Sequence, residues 1–197
     1  MGIFLQQIAT GFIVKTIASF DDTLTRIPIL AELTKLKSGK IAFSIGTLLA
    51  LTTILIPVLF FSHILNAIPY RQYFIAILIF ILGISVYLEL LTPKEEKIQH
   101  KLIQSQATSH VRFLKLISIG FIVSLITYLD DMVVLIPLFL GDNTTRFLSV
   151  IGIYLAALLQ IIIVIYFSKQ LSQIKYKKEL ASGALMILSL LVGFGIV

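Results

Sequence analysis

The feature that most limits the fold of this chain is a succession of apolar runs, each about as long as a bilayer is thick. A hydrocarbon core needs about 20 mostly apolar residues per helix. Six segments meet that need, at roughly residues 4–30, 41–62, 72–92, 113–140, 147–168 and 180–197. Composition agrees: 58% of the 197 residues are hydrophobic and 13% charged, against about 45–50% and about 25% in soluble domains. The mean hydropathy is +1.02. An ordinary cytosolic enzyme, a disordered tail and a nucleic-acid binder of the usual kind are excluded. With no Cys, disulfide frameworks and thiolate metal sites are excluded too. The N-terminal stretch lacks a basic region and a small-residue cleavage site, so it reads as a retained helix rather than a signal peptide.

Charge gives the orientation. Loops 31–40, 93–115 and 169–179 share one face and hold twelve Lys and Arg residues, whereas the opposite loops hold only Arg71 and Arg146. By the positive-inside rule the first face is cytoplasmic. The net charge of +6 therefore records orientation in a plasma (inner) membrane, and both termini are expected outside. The expected partners are lipid and a cation, with no nucleic acid; a bundle of six short helices is also compatible with a homodimer.

The chain repeats itself. Residues 11–30 aligned with 120–139 are identical at nine of twenty positions, including Gly11/Gly120, Asp21/Asp130, Asp22/Asp131 and Pro28/Pro137. Weaker matches place Gly46 over Gly152 and Gly83 over Gly193. Each half then contains three helices. Three is odd, so the copies cross the membrane in opposite senses, as in the inverted repeats of secondary transporters. The expected fold is an all-α integral membrane protein with six transmembrane helices in an inverted 3+3 repeat. Residues 1–92 form the first repeat, 93–112 a cytoplasmic linker and 113–197 the second repeat.

Asp21, Asp22, Asp130 and Asp131 fall inside apolar segments. A charge there costs roughly 2.5–3.5 kcal/mol on insertion scales and marks an ion or proton pathway by default. Pro28 and Pro137 leave the carbonyls of Leu24 and Val133 without an amide donor, and such carbonyls bind cations. Hydroxyls from Ser19, Thr16, Thr23 and Thr25 in the first half, and Thr127 and Tyr128 in the second, complete a hard-oxygen set suited to Mg²⁺, Ca²⁺ or Mn²⁺.

The plainer reading of the first motif is an intrahelical Asp22–Arg26 pair, with Lys15 snorkelling to an interface. The second motif has Leu135 and Ser124 at those two positions. Its charge therefore needs a bound ion, a proton or a residue from another helix. On this reading Asp131→Asn abolishes export and relieves a desolvation cost, whereas Asp22→Asn strands Arg26. Gln160, Thr52 and Thr53 lie mid-helix and suit interhelical hydrogen bonds. Glu89 is expected to be solvated near a helix end. His63, His100 and His110 are too far apart in the chain for a zinc site.

The stretch from Asp130 to Phe139, DDMVVLIPLF, resembles the D-N-x-x-x-Y-I-P-L-F motif of the cadmium-resistance (CadD-type) transporters. That family belongs to the lysine-exporter superfamily, near the TerC-like proteins. Ala18-Ser19-Phe20-Asp21-Asp22 looks like its first-half D-D motif. This chain has Asp131 where the family has Asn, and Leu135 where it has Tyr. The resemblance implies a six-helix cation exporter without a cofactor. The expected function is thus export of a cation, best matched by a divalent metal ion, at a site holding Asp21, Asp22, Asp130 and Asp131 with Ser19, Thr23 and Thr127. Pro28, Pro137 and Arg26 act as structural or gating residues. Three alternatives remain: an amino-acid or organic-cation exporter, a non-transporting membrane partner, and an intramembrane aspartyl enzyme.

Overall fold

A computed structural model of the chain describes residues 2–19, 37–88, 109–171 and 177–195. Asp21, Asp22, Thr23, Thr25, Arg26, Pro28, Glu89, His100 and most of the 93–112 linker lie outside the described residues. Those residues form six α-helices and one 3-10 turn. The helices are α1 (Gly2–Ala18), α2 (Lys37–Leu65), α3 (Arg71–Tyr87), α4 (Ser109–Leu135), α5 (Asn143–Leu171) and α6 (Lys177–Gly193). The 3-10 turn, Ile136–Phe139, follows α4 directly.

Three helical stretches are long and apolar enough to cross a membrane: Gly39–Leu65, Phe113–Phe139 and Asn143–Ile163. The described parts of α1, α3 and α6 have 17 residues each, at the lower limit for a span. The sixth helix ends at Gly193, short of the expected 197, because the chain turns there and Gly195 adopts φ +70°. α2 and α5 both outrun their expected bounds, at 29 residues each.

Large apolar side chains stand on the surface, and several hydroxyl side chains lie inside. Large side chains such as Leu5, Ile56, Leu114, Tyr166 and Phe194 are exposed. Ser19, Thr47, Ser62, Ser124, Thr127 and Ser149 are buried. An apolar exterior of this extent marks a surface that meets something other than water. With the three long apolar helices, this exterior suits a membrane environment.

Packing is crosswise. The most extensive helix contacts are α2 with α4, α1 with α5, and α3 with α6, so each helix before the linker packs chiefly on one after it. Glycines set two of these contacts. A Cβ on Gly120 would lie 2.5 Å from the Phe43 carbonyl oxygen, and one on Gly46 would lie 2.7 Å from the Phe121 amide nitrogen. At the other crossing, a Cβ on Gly11 would lie 2.6 Å from the Ser149 carbonyl oxygen, and one on Gly152 would lie 2.8 Å from the Phe12 amide nitrogen. The two crossings use corresponding positions of the aligned halves: Gly11 and Gly120, Phe12 and Phe121, Phe43 and Ser149, Gly46 and Gly152. α2 and α4 run parallel, because the Phe43–Gly120 contact is followed one turn later on both helices by a Ser124-to-Thr47 hydroxyl bond of 2.9 Å. α3 and α6 run antiparallel, with Gly83 against Leu185 and Gly193 against Ala76.

Asp142 caps α5. Its Oδ1 accepts the Thr145 amide at 3.2 Å and also the Thr145 hydroxyl. The Thr145 hydroxyl, then its amide, holds the Asp142 carboxyl below its ordinary value of 3.8. A depressed carboxyl contributes stability that is full above its unfolded value and lost as pH falls through its folded one. Asp142→Ala should therefore lower the melting temperature modestly at neutral pH. A thermal melt series in detergent should show that difference closing as pH drops below 3.8.

Candidate functional site

The second acidic motif sits near the C-terminal end of α4. The helix ends at Leu135 and tightens into the 3-10 turn around Pro137, whose ring cannot donate to the ladder. Ile136, Pro137, Leu138 and Phe139 are all buried. α5 holds the turn from outside: the Ser149 hydroxyl donates to the Leu138 carbonyl at 3.3 Å and the Arg146 Nε to the Phe139 carbonyl at 2.9 Å. Gln7 of α1 donates to Ser149 Oγ at 3.0 Å.

Asp131 is 1% exposed and meets α1 there. Its Oδ2 lies 2.5 Å from Lys15 Nζ, and the Lys15 side chain is 0% exposed. The same oxygen accepts the Ser19 hydroxyl at 2.7 Å. The Lys15 ammonium also stands 3.9 Å from the centroid of the Tyr128 ring, within cation–π range. Tyr128 precedes Asp131 by three residues on α4, so ring and carboxylate share a face. Lys15 and Ser19, four apart, share a face of α1 in the same way. Helical spacing on two helices thus builds an ammonium clamp from one carboxylate and one aromatic face, with the Ser19 hydroxyl donating to the same carboxylate.

This geometry corrects two expectations. Lys15 does not snorkel to an interface; it is buried against Asp131. Nor is Asp131 an uncompensated charge whose removal relieves strain. Of the three sources allowed for its balance, the structure supplies a residue from another helix. Tyr128, expected to offer its hydroxyl as a ligand, faces the cation with its ring.

The remaining candidates are distributed as follows. Asp130 is half-buried and its Oδ1 accepts the Asp131 amide at 3.1 Å. Thr127 is buried, and its hydroxyl donates to the carbonyls of Val123 at 3.2 Å and Ser124 at 3.1 Å. Thr16 bonds back to the Phe12 carbonyl at 2.8 Å. Ser19 and Asp131 are therefore brought together, and Thr127 is turned to its own helix in these contacts. Among the described residues no group of three or more His, Asp or Glu side chains converges as a metal-ligand set. The first Asp-Asp motif falls outside those residues.

Away from the clamp, Thr52 and the Tyr154 hydroxyl share a 2.7 Å bond between α2 and α5. Gln160, 8% exposed, has an Nε2 that meets no hydrogen-bond partner among the described residues.

Lys15 as the partner of Asp131 escaped the sequence reading. Its signal was a charge count. Only Lys15 and Arg26 are basic within the first apolar segment, the fourth holds none beyond its first turn, and each segment carries an Asp pair. Comparison of the chain with protein-family models, with curated proteins and with solved structures finds no match.

Proposed function

We propose that the protein is a secondary transporter that exports a cation, in the first instance a divalent metal ion, through a site centred on Asp131 and completed by the first Asp-Asp motif. It is not an enzyme on this reading. The observation that carries it is the Lys15–Asp131 pair. A cation is already held there by a carboxylate and a ring inside an apolar-surfaced bundle, and buried intramembrane charges of this kind line ion pathways. The crosswise packing through equivalent glycines supports the inverted 3+3 repeat of six transmembrane helices. The resemblance to CadD-type transporters supports the same reading.

Export of an amino acid or organic cation is the second reading. The clamp favours it in one respect, because the ion it holds is an alkylammonium. Purified protein in liposomes separates the two when offered Mn²⁺, Ca²⁺ and Cd²⁺ in one series and lysine and putrescine in another. Metal flux that Asp131→Asn reduces at least about tenfold, with Asp131→Glu partly active, is the expected result. Flux of the amines alone would move the assignment to the second reading, and flux of neither would remove transport.

Topology has its own check. The chain has no Cys, so Ser105→Cys introduces a single thiol. It should resist an impermeant maleimide added outside intact cells, as a cytoplasmic linker requires.

A further inference from the structure

Resting on the cation-transport reading, we infer that Lys15 is the resident counter-cation of the transport site. It neutralises Asp131 when no cargo is bound, and so lets the empty carrier return across the membrane. Lys15 Nζ occupies the position a cation ligated by Asp131 Oδ2 would take, 2.5 Å from that oxygen. The Tyr128 ring, 3.9 Å away, also suits a cation, and Ser19 steadies the shared carboxylate oxygen by donating to it. Both charged side chains are sealed from bulk solvent.

A carrier that must change its access with an unpaired carboxylate at its centre meets the full desolvation penalty of that charge. A carrier whose carboxylate is paired does not. Cargo and Lys15 compete for one oxygen, so the site is filled by one or the other. In the loaded carrier Asp131 is paired with the cargo, and the displaced ammonium keeps the Tyr128 ring as its neighbour. Without Lys15 the carboxylate is paired only when cargo is bound, and the protein becomes an exchanger, trading one bound cation for another.

The aligned halves carry the asymmetry this requires. Lys15 corresponds to Ser124, which is spent on a 2.9 Å bond to Thr47. One tethered cation therefore serves the pair of repeats.

The experiment compares two modes of flux in liposomes loaded with radioactive Mn²⁺, with the voltage clamped by potassium and valinomycin. Net efflux is measured into Mn²⁺-free medium, and exchange into medium containing unlabelled Mn²⁺. Wild type should show both. Lys15→Met should lose net efflux by about tenfold or more and exchange by much less, because Asp131 now loses its tethered partner whenever Mn²⁺ leaves. Bound Mn²⁺ should also raise its melting temperature more than that of wild type. Lys15→Met/Asp131→Asn should be inert in both modes.

Lys15→Arg decides the matter if Lys15→Met does not fold. A guanidinium fits a carboxylate with two parallel donors where an ammonium offers a point charge, so the Mn²⁺ concentration for half-maximal efflux should rise about tenfold or more. Net efflux in Lys15→Met at the wild-type ratio to exchange would overturn the inference, as would an unchanged half-maximal concentration in Lys15→Arg. Wild type inert to Mn²⁺, Ca²⁺ and Cd²⁺ in both modes is a different failure, that of the metal-transport reading itself.

Discussion

Lys15→Met and Asp131→Asn, made singly in ion-free buffer, should each destabilise the protein by about 3–5 kcal/mol, the cost of leaving a buried charge without its partner. The double variant should recover most of that loss, since two neutral side chains of similar volume fit the site without a desolvation penalty. Denaturation in mild detergent, followed by tryptophan-free probes such as far-ultraviolet dichroism, reads all four corners of the cycle. The coupling energy should exceed about 2 kcal/mol, toward the upper end for residues in direct contact. Additive effects would mean that the 2.5 Å contact contributes nothing to stability. Asp131→Asn should on this account lower the folded yield. An uncompensated Asp131 would have predicted the opposite.

The second large effect concerns the helix crossings. Gly46→Ala places a methyl group against the Ile117 carbonyl and 2.7 Å from the Phe121 amide, both of them backbone atoms that cannot swing aside. Gly152→Ala does the same against Ile8 and Phe12. Each should cost about 1–3 kcal/mol or more, the range for overpacking, and the combined variant should fail to reach a monodisperse state on size exclusion. Gly183 is the control. A Cβ there meets nothing within 4 Å, so Gly183→Ala should be neutral, or stabilising by up to about 1 kcal/mol through helix propensity. Equal behaviour of Gly46→Ala and Gly183→Ala would show that close backbone approach is not what holds α2 on α4.

The helices were legible because length and hydropathy alone decide them, and the break near Pro137 because a missing amide donor has one local consequence. Interior α2 starts at Lys37 rather than near 41, since the Lys37-Ser38-Gly39-Lys40 stretch read as a polar loop from composition yet continues the helix. The matching of Gly46 with Gly152 came from alignment, and its meaning became visible only as packing. The Lys15–Asp131 pair was not legible, for a physical reason. Sequence reasoning about charge is strongest at helical spacing of three or four residues, and these partners are 116 apart. The internal repeat added to the difficulty, because aligning the halves sets Lys15 over Ser124 and Asp22 over Asp131 and so directs attention within each half. The Tyr128 contact was hidden likewise: residue type shows that a ring and a hydroxyl are available, and only the position of Lys15 selects the ring.

The crosswise packing has a consequence for biosynthesis. All three principal helix pairings join segments on opposite sides of the linker, so the first three helices leave the ribosome before any of their main partners exist. Lys15 must wait for Asp131, which is made 116 residues later, or roughly 6–20 s at ordinary elongation rates. During that interval an ammonium destined for a sealed interior has no carboxylate from α4 to meet, and the nascent half-bundle has no seam to close. Assembly is therefore a late, concerted event that follows synthesis of the second half. Slowing translation within the linker lengthens the window in which quality-control proteases can capture the unfinished chain.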